Sequence, residues 1–194
     1  MKGYLRPDGR KGIRNTIVVA YLIECARHVA TEITFMFRDR DVHVIGFPGC
    51  FPNEYAFDMM SKLCTHPNVG AALLVSLGCE GFNREGLAEN IAASGRPVET
   101  LVIQQNGGTT ASIDKGGTWV SKQLEAMAAQ QQVEMGIDEL VIGTICGGSD
   151  GTSGLSANPG MGRAFDLLIA EGAAGIFEET GELIGCEQYM ADRA

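Results

Sequence analysis

The sequence predicts an α/β fold: a mostly parallel sheet with helices on both faces, three layers in a Rossmann-like arrangement. Three observations carry this expectation. Apolar, β-branched runs alternate with segments of helical periodicity along nearly the whole chain. Those runs are continuous rather than alternating apolar with polar, as in strands buried on both faces. And 194 residues with a hydrophobic fraction of 45% suffice for one α/β domain with a sizeable core.

The first strand is expected over 16–22, followed by a helix with Cys25, Val29, Ile33 and Met36 at helical spacing. A second strand over 42–47 leads to a helix with Ala56, Met59, Met60 and Leu63 on one face. A third strand spans 71–77 and a helix 84–94; a fourth strand spans 98–104. The next helix is longer, with Val120, Leu124, Met127 and Ala128 as its stripe, and Gly116-Gly117 blurs its start. A fifth strand covers 140–145. After a long polar loop, Met161, Ala164, Phe165 and Leu168 mark another helix, 175–177 a short sixth strand, and the chain ends in a helix. Residues 1–15, rich in Gly and Arg, read as an irregular arm, and 16–194 as a single α/β domain.

Composition narrows the function. A net charge of −9 and a pI of about 4.8 argue against a nucleic-acid or anionic-membrane partner, which call for clustered Lys and Arg. A small anionic substrate stays open, because Arg6, Arg10 and Arg14 form a local basic group. No segment has the apolar length of a membrane span, and the amino terminus lacks the apolar core of a signal peptide, so a cytoplasmic protein is expected. Cys25, Cys50, Cys64, Cys79, Cys146 and Cys186 are irregularly spaced with no C-x-x-C pair, so neither a disulfide framework nor a structural zinc site is indicated.

Ligands of open parallel sheets bind beyond the carboxyl ends of the strands. The residues expected there are Glu24-Cys25, Gly49-Cys50, Gly78-Cys79-Glu80, Gln105 to Thr109, Cys146 to Asp150, and Glu178. Four of the six cysteines fall at this edge, mixed with carboxylates and glycines. A single cysteine there is most simply a small buried residue. Four together point to a divalent-metal or redox site. Cys64 and Cys186 fall in helical patterns and are assigned to the core. The loop 147–154 looks like a phosphate cradle without the lysine of a P-loop, so a backbone nest for a carboxylate or hydroxyl-rich ligand fits it better. His28, His43, His66 and Trp119 are read as surface, turn or packing residues, Gln130-Gln131-Gln132 as a solvated helix end, and Asp8, Asp114 and Asp138 as caps or turns. No G-x-G-x-x-G follows the first strand, which weighs against a nucleotide cofactor.

Four segments resemble the altronate/galactarate dehydratase family: GYLRPDGRKGIRN at 3–15, HPNVGAALLVSLGCEG at 66–81, TICGGSDGTSGLSANPGMG at 144–162 and ETGELIGCEQYMADRA at 179–194. The resemblance implies dehydration of a sugar acid to a 2-keto-3-deoxy product with a divalent cation, iron first and manganese second, and no nucleotide. A sulfolactate sulfo-lyase belongs to the same group. Relatives are about twice this length, so the chain is expected to be their first large α/β domain, acting with the remaining C-terminal half or a partner subunit, and able to form a homo-oligomer. Many relatives carry a histidine shortly before the glycine-cysteine that ends the second strand. Here Gly46-Phe47-Pro48-Gly49-Cys50 has none, which points to a different substrate, a different metal site or no such activity.

On this reading Cys50, Cys79 and Cys146 are metal ligands, and Glu80, Asp150, Glu178 and Glu187 are the catalytic carboxylates. Arg14 and Asn15, with Ser149 and Asn158, contact the substrate. The ligand set is inferred from strand ends; only the motif positions rest on the resemblance. Elimination needs a base for the proton beside the carboxylate, an acid for the departing hydroxyl, and a cation for the enediolate-like charge. One alternative is an iron–sulfur dehydratase using three of Cys25, Cys50, Cys79 and Cys146. Another is a domain that binds a sugar acid, or mediates assembly, without chemistry.

Overall fold

A computed structural model describes every residue except Cys146, Ser149, Glu179, Arg193 and Ala194, and the side chains of Thr180 and Glu182. The chain divides into two compact units, Lys2–Val133 and Met1 with Glu134–Ala194, rather than a single domain over 16–194.

The larger unit opens with a hairpin. Strands β1 (Lys2–Leu5) and β2 (Lys11–Gly12) pair antiparallel, so most of the expected irregular arm is ordered structure. Its tip is an Asp8-Gly9 turn: Asp8 accepts the Arg10 N–H at 3.0 Å, and Gly9 has φ +85°, which suits a residue without Cβ. The core follows as β3 (Thr16–Tyr21), α1 (Arg27–Met36), β4 (Val42–Gly46), α2 (Glu54–Cys64), β5 (Val69–Ser76), α3 (Arg84–Ala93), β6 (Val98–Val102) and α4 (Thr109–Ala128), close to the predicted elements. The sheet is parallel, in the order β4-β3-β5-β6.

Both faces are covered, as continuous apolar strands require. Ile17, Val19, Leu73 and Val75 pack against α1 and α4 through Val29, Ile33, Val120 and Met127. Their neighbours Val18, Ala20, Ala72 and Leu74 pack against α2 and α3 through Met60, Cys64, Leu87 and Ile91. All eight residues of β5 are buried. Gly116-Gly117 does not mark the start of α4 but lies inside it. A Cβ on Gly116 would collide with Ile33 Cδ1, so the bare backbone lets α4 lie close to α1.

The strand order has a consequence for function. β3 is followed by β4 on one side and, after the next crossover, by β5 on the other. The carboxyl ends of β3 and β5 therefore form the topological switch point, where open α/β sheets leave a crevice.

After the two-residue β7 (Val133–Glu134), the smaller unit contains β8 (Val141–Thr144), a π-turn over Ser153–Ala157, α5 (Asn158–Ala170), β9 (Ala174–Phe177) and α6 (Glu187–Ala191). Pro159 lies in the first turn of α5, where its missing N–H costs nothing. β8 and β9 pair in parallel as a two-stranded sheet of their own, not as the fifth and sixth strands expected of the main sheet. The polar Gln130-Gln131-Gln132 run separates them from the main sheet in sequence, and β8 takes β9 as its partner. Every residue of β9 is exposed.

Candidate functional site

The basic residues of the first segment are held by a local network of hydrogen bonds. They lie before β3, at the amino end of the sheet, the edge opposite the crevice. Arg6 is 5% exposed and donates to the carbonyl of Pro67 at 2.6 Å, Asn15 Oδ1 at 2.9 Å and the carbonyl of Arg14 at 2.9 Å. Burial, then Arg96 nearby, lowers its pKa to about 10. Arg10 grips Asp8 at 2.7 Å and the carbonyl of Thr65 at 2.8 Å, and holds the Asp8 carboxyl down to about 2. Arg14 forks onto Asp41 at 2.6 and 3.2 Å, with His43 Nε2 3.1 Å away. Asn15 accepts from Arg6 and donates to Gln130 at 2.8 Å. The expected substrate contacts Arg14 and Asn15 are thus committed to fastening the hairpin and strand starts.

Arg96, which sequence reasoning passed over, belongs to the same clamp. It is 3% exposed and donates to the carbonyl of Val69 at 3.0 Å and that of His66 at 3.3 Å. Its signal was a lone charge between Gly95 and Pro97 just before an apolar strand.

The carboxyl edge of the unit is chemically different. The N–H of Gly81 donates to the carbonyl of Cys50 at 2.9 Å, joining the loops after β4 and β5. The N–H of Gln104 donates to the carbonyl of Leu77 at 3.1 Å, joining the loops after β5 and β6. Cys25, Cys50 and Cys79 are exposed free thiols at this edge. Between the amino ends of α2 and α3 lies a cleft of about 320 Å³ whose lining includes Pro52, Glu54, Phe57, Asp58 and Phe82. Its two carboxylates, Glu54 and Asp58, make it a poor receptor for a third.

Glu80 is the most unusual group. It is 8% exposed, and its Oε2 accepts the Gly78 N–H at 2.8 Å. Its Oε1 is buried with no hydrogen-bond partner among the described residues. Burial pushes the carboxyl up, but the Ser76 hydroxyl, the Gly78 N–H and Arg84 outweigh it, so the group sits below the usual carboxylate range. Arg84 Nη1 donates to Ser76 Oγ at 3.3 Å, completing a polar cluster at the end of the central strand. Ser76 and Arg84 were missed, although a serine closing the apolar run VGAALLVS is a visible signal. An ionised, buried carboxylate with a vacant acceptor at the switch point can receive a ligand hydroxyl or remove a proton.

In the smaller unit the candidates are locally engaged. Asp150 accepts the N–H and hydroxyl of Thr152, both at 2.6 Å, and the N–H of Ser153 at 3.1 Å, which lowers its pKa. Glu187 accepts the Gly185 N–H at 3.0 Å, which lowers its pKa. Glu178 and Asn158 are exposed, just past β9 and at the start of α5. Cys146 and Ser149 lie outside the described residues. Cys186, assigned to the core by sequence, is exposed just before α6; Cys64 is buried as expected, its thiol pushed up to about 12 by burial.

Cys50, Cys79 and Glu80 do not make a metal site between them: among the described residues no group of three or more His, Cys, Asp or Glu side chains could hold an ion.

Comparison with known proteins gives two family matches along the chain. Residues 3–128 match the family model described as D-galactarate dehydratase/altronate hydrolase, second domain, and residues 137–194 match that of D-galactarate/altronate dehydratase, C-terminal. The match is thus to a second domain and a C-terminal one, not to a first large domain alone. The chain is 28% identical to altronate dehydratase of Bacillus subtilis, aligning over 100% of its own length and 41% of the relative. It is 30% identical to the (2R)-sulfolactate sulfo-lyase subunit beta of Chromohalobacter salexigens, over 98% of its length and 49% of the relative. Galactarate dehydratase (L-threo-forming) of Escherichia coli is 29% identical over 69% of the chain and 27% of the relative. The chain spans less than half the length of these relatives.

Proposed function

The chain belongs to the D-galactarate dehydratase/altronate hydrolase family, and from that premise we propose that it forms part of a hydro-lyase that removes water from a sugar acid such as altronate or galactarate. The observation that carries the reading is Glu80: an ionised carboxylate at the switch point of the sheet, buried, with one oxygen unpartnered among the described residues. In this reading Glu80 takes the proton next to the substrate carboxylate as the hydroxyl on the neighbouring carbon leaves. The Gly78 N–H and Ser76 hydroxyl hold the base in place. The departing hydroxyl takes its proton from an acid, for which Glu178 and Glu187 are the candidates from the sequence. The five described cysteines are all free, which supports a reducing, cytoplasmic setting. No helix among the described residues is long and apolar enough to cross a membrane.

We also place a partner on the smaller unit, either the remaining half of a longer chain or a second subunit. A two-stranded sheet does not stand alone in water, and Val141, Ile145, Ile176 and Phe177 are exposed. Loss of sulfite from sulfolactate is the second reading, favoured by the 30% identity to the sulfo-lyase subunit. The test is turnover of altronate, galactarate and sulfolactate by the chain, alone and supplied with the C-terminal remainder of a relative. Formation of a 2-keto acid, lost by about 10²- to 10⁴-fold in Glu80→Gln, supports the reading. Sulfite release with no dehydration favours the second. Turnover unaffected by Glu80→Gln removes Glu80 as the base.

A further inference from the structure

The dehydratase reading requires a receptor for the substrate carboxylate, and Arg14 sits at the wrong edge of the sheet to provide it. We propose that the amino end of α4, with the Gly107-Gly108 turn before it and the Ser112 hydroxyl one turn within it, is a carboxylate-binding subsite. The inference rests on the sugar-acid reading for the identity of its ligand, but not for its geometry.

α4 is the longest helix described, Thr109–Ala128, and its amino end has no side-chain cap. The first N–H groups of a helix lack internal partners and carry the positive end of its dipole, so an uncapped start favours an anion. Gly107 and Gly108 have φ +82° and +92°, a conformation that side chains other than glycine seldom take. Ser112 adds a buried polar group to this helix end. It is 0% exposed, and its Oγ has no hydrogen-bond partner among the described residues. Its backbone N–H is bonded to the carbonyl of Gly108 at 3.1 Å, which fixes it one turn in. Cα–Cβ bonds on a helix lean toward the amino end, which sets the Cβ that carries this hydroxyl toward the glycine turn. A buried hydroxyl is costly when unpaired, and a ligand oxygen at the helix end would relieve that cost.

Position and charge agree. The turn follows β6, the neighbour of β5, and its loop is tied to that of Glu80 by the Gln104–Leu77 hydrogen bond. Lys115 Nζ lies 3.0 Å from Asn106 Oδ1, placing a cation beside the turn. The two unpartnered buried side-chain oxygens of the described residues, Glu80 Oε1 and Ser112 Oγ, thus belong to the loop after β5 and to the start of the helix that follows the neighbouring strand β6. A 2-hydroxy acid needs an electropositive receptor for its carboxylate and a base for the carbon next to it, which is the pairing offered here.

The test is an amide chemical-shift titration of the whole chain with D-galactarate, with glycolate as a minimal hydroxy acid, and with galactitol, which lacks carboxylates. Thr109→Asp sets a tethered carboxylate at the helix start; the substitution suits a helix amino end and leaves the fold intact by circular dichroism. Both acids are expected to move the amides of Thr109, Thr110 and Ala111 in the natural chain, galactitol is not, and Thr109→Asp weakens both acids by roughly tenfold. Ser112→Ala should weaken them without lowering the melting temperature, a combination that a purely structural serine would not give. If glycolate moves these amides and galactarate does not bind, the subsite stands and the sugar-acid reading falls. If galactarate binds equally well to Thr109→Asp and leaves these amides still, the subsite is wrong while the sugar-acid reading survives. If neither acid moves them, the subsite is overturned.

Discussion

Arg6→Gln separates a structural arginine arm from a substrate-binding one. The guanidinium makes three short hydrogen bonds, to Pro67 O, Asn15 Oδ1 and Arg14 O, from a residue only 5% exposed. Glutamine is too short to reach all three. Stripping a buried acceptor of its partner costs about 1–3 kcal/mol. The Arg14 carbonyl belongs to an exposed residue and can turn to water, so the two remaining acceptors dominate. A total of about 3 kcal/mol is expected. At about 4 °C per kcal/mol for a unit of this size, the larger unit should melt about 12 °C lower. Arg6→Lys keeps the charge but not the fork, and should fall between the two. The assay is thermal melting by circular dichroism, paired with calorimetric titration of D-galactarate at a temperature where each variant is folded. Melting within about 2 °C of the natural chain, together with lost galactarate binding, would refute the reasoning and return this arginine to the substrate.

Three further outcomes follow from the same structure. Gly116→Val should cost about 1–3 kcal/mol in urea unfolding, because its side chain would collide with Ile33 Cδ1 and lie against Leu73; an unchanged midpoint would mean that α1 and α4 are not in close contact. The Glu80 carboxyl is held below its ordinary range in the folded chain, so its contribution is complete above the unfolded value of about 4.3 and is lost as pH falls through the folded one. The stability difference between the natural chain and Glu80→Gln should therefore shrink between pH 7 and pH 3, and a constant difference would contradict the assignment. Cys64, buried with its thiol pushed up to about 12, should escape a thiol reagent until the chain unfolds, while Cys25, Cys50, Cys79 and Cys186 react at once; mass spectrometry of labelled peptides reads this directly.

The β–α order was legible because the central strands β3 and β5 are nearly continuous apolar runs set between segments of helical periodicity. Segments such as VGAALLVS admit only a strand covered on both faces. The hairpin was hidden because β2 is only two residues long and its pairing follows from the Asp8-Gly9 turn, not from any hydrophobic period. The split of the sheet was hidden as well: local sequence makes 141–144 and 174–177 strands but does not say which strand each will pair with.

The site shows the same division. Which loops fall at the carboxyl edge is fixed by strand direction, so the position of Cys50, Cys79 and Glu80 at that edge was legible in the sequence. A basic residue in a motif invites a ligand, but the position of Arg14 before the first strand puts it at the opposite edge from Glu80, beside Asp41. Ser112 could not be read from sequence, since an unpartnered hydroxyl is a property of the fold around it.

The most direct test of the central claim, that the carboxyl edge of the larger unit receives a sugar acid, is amide hydrogen exchange of the chain with and without saturating D-galactarate. The account predicts new protection in 76–84 and 103–112, the loops after β5 and β6, with none in 6–15. Protection confined to 6–15, or to the amino end of the sheet around Asp41, would contradict it.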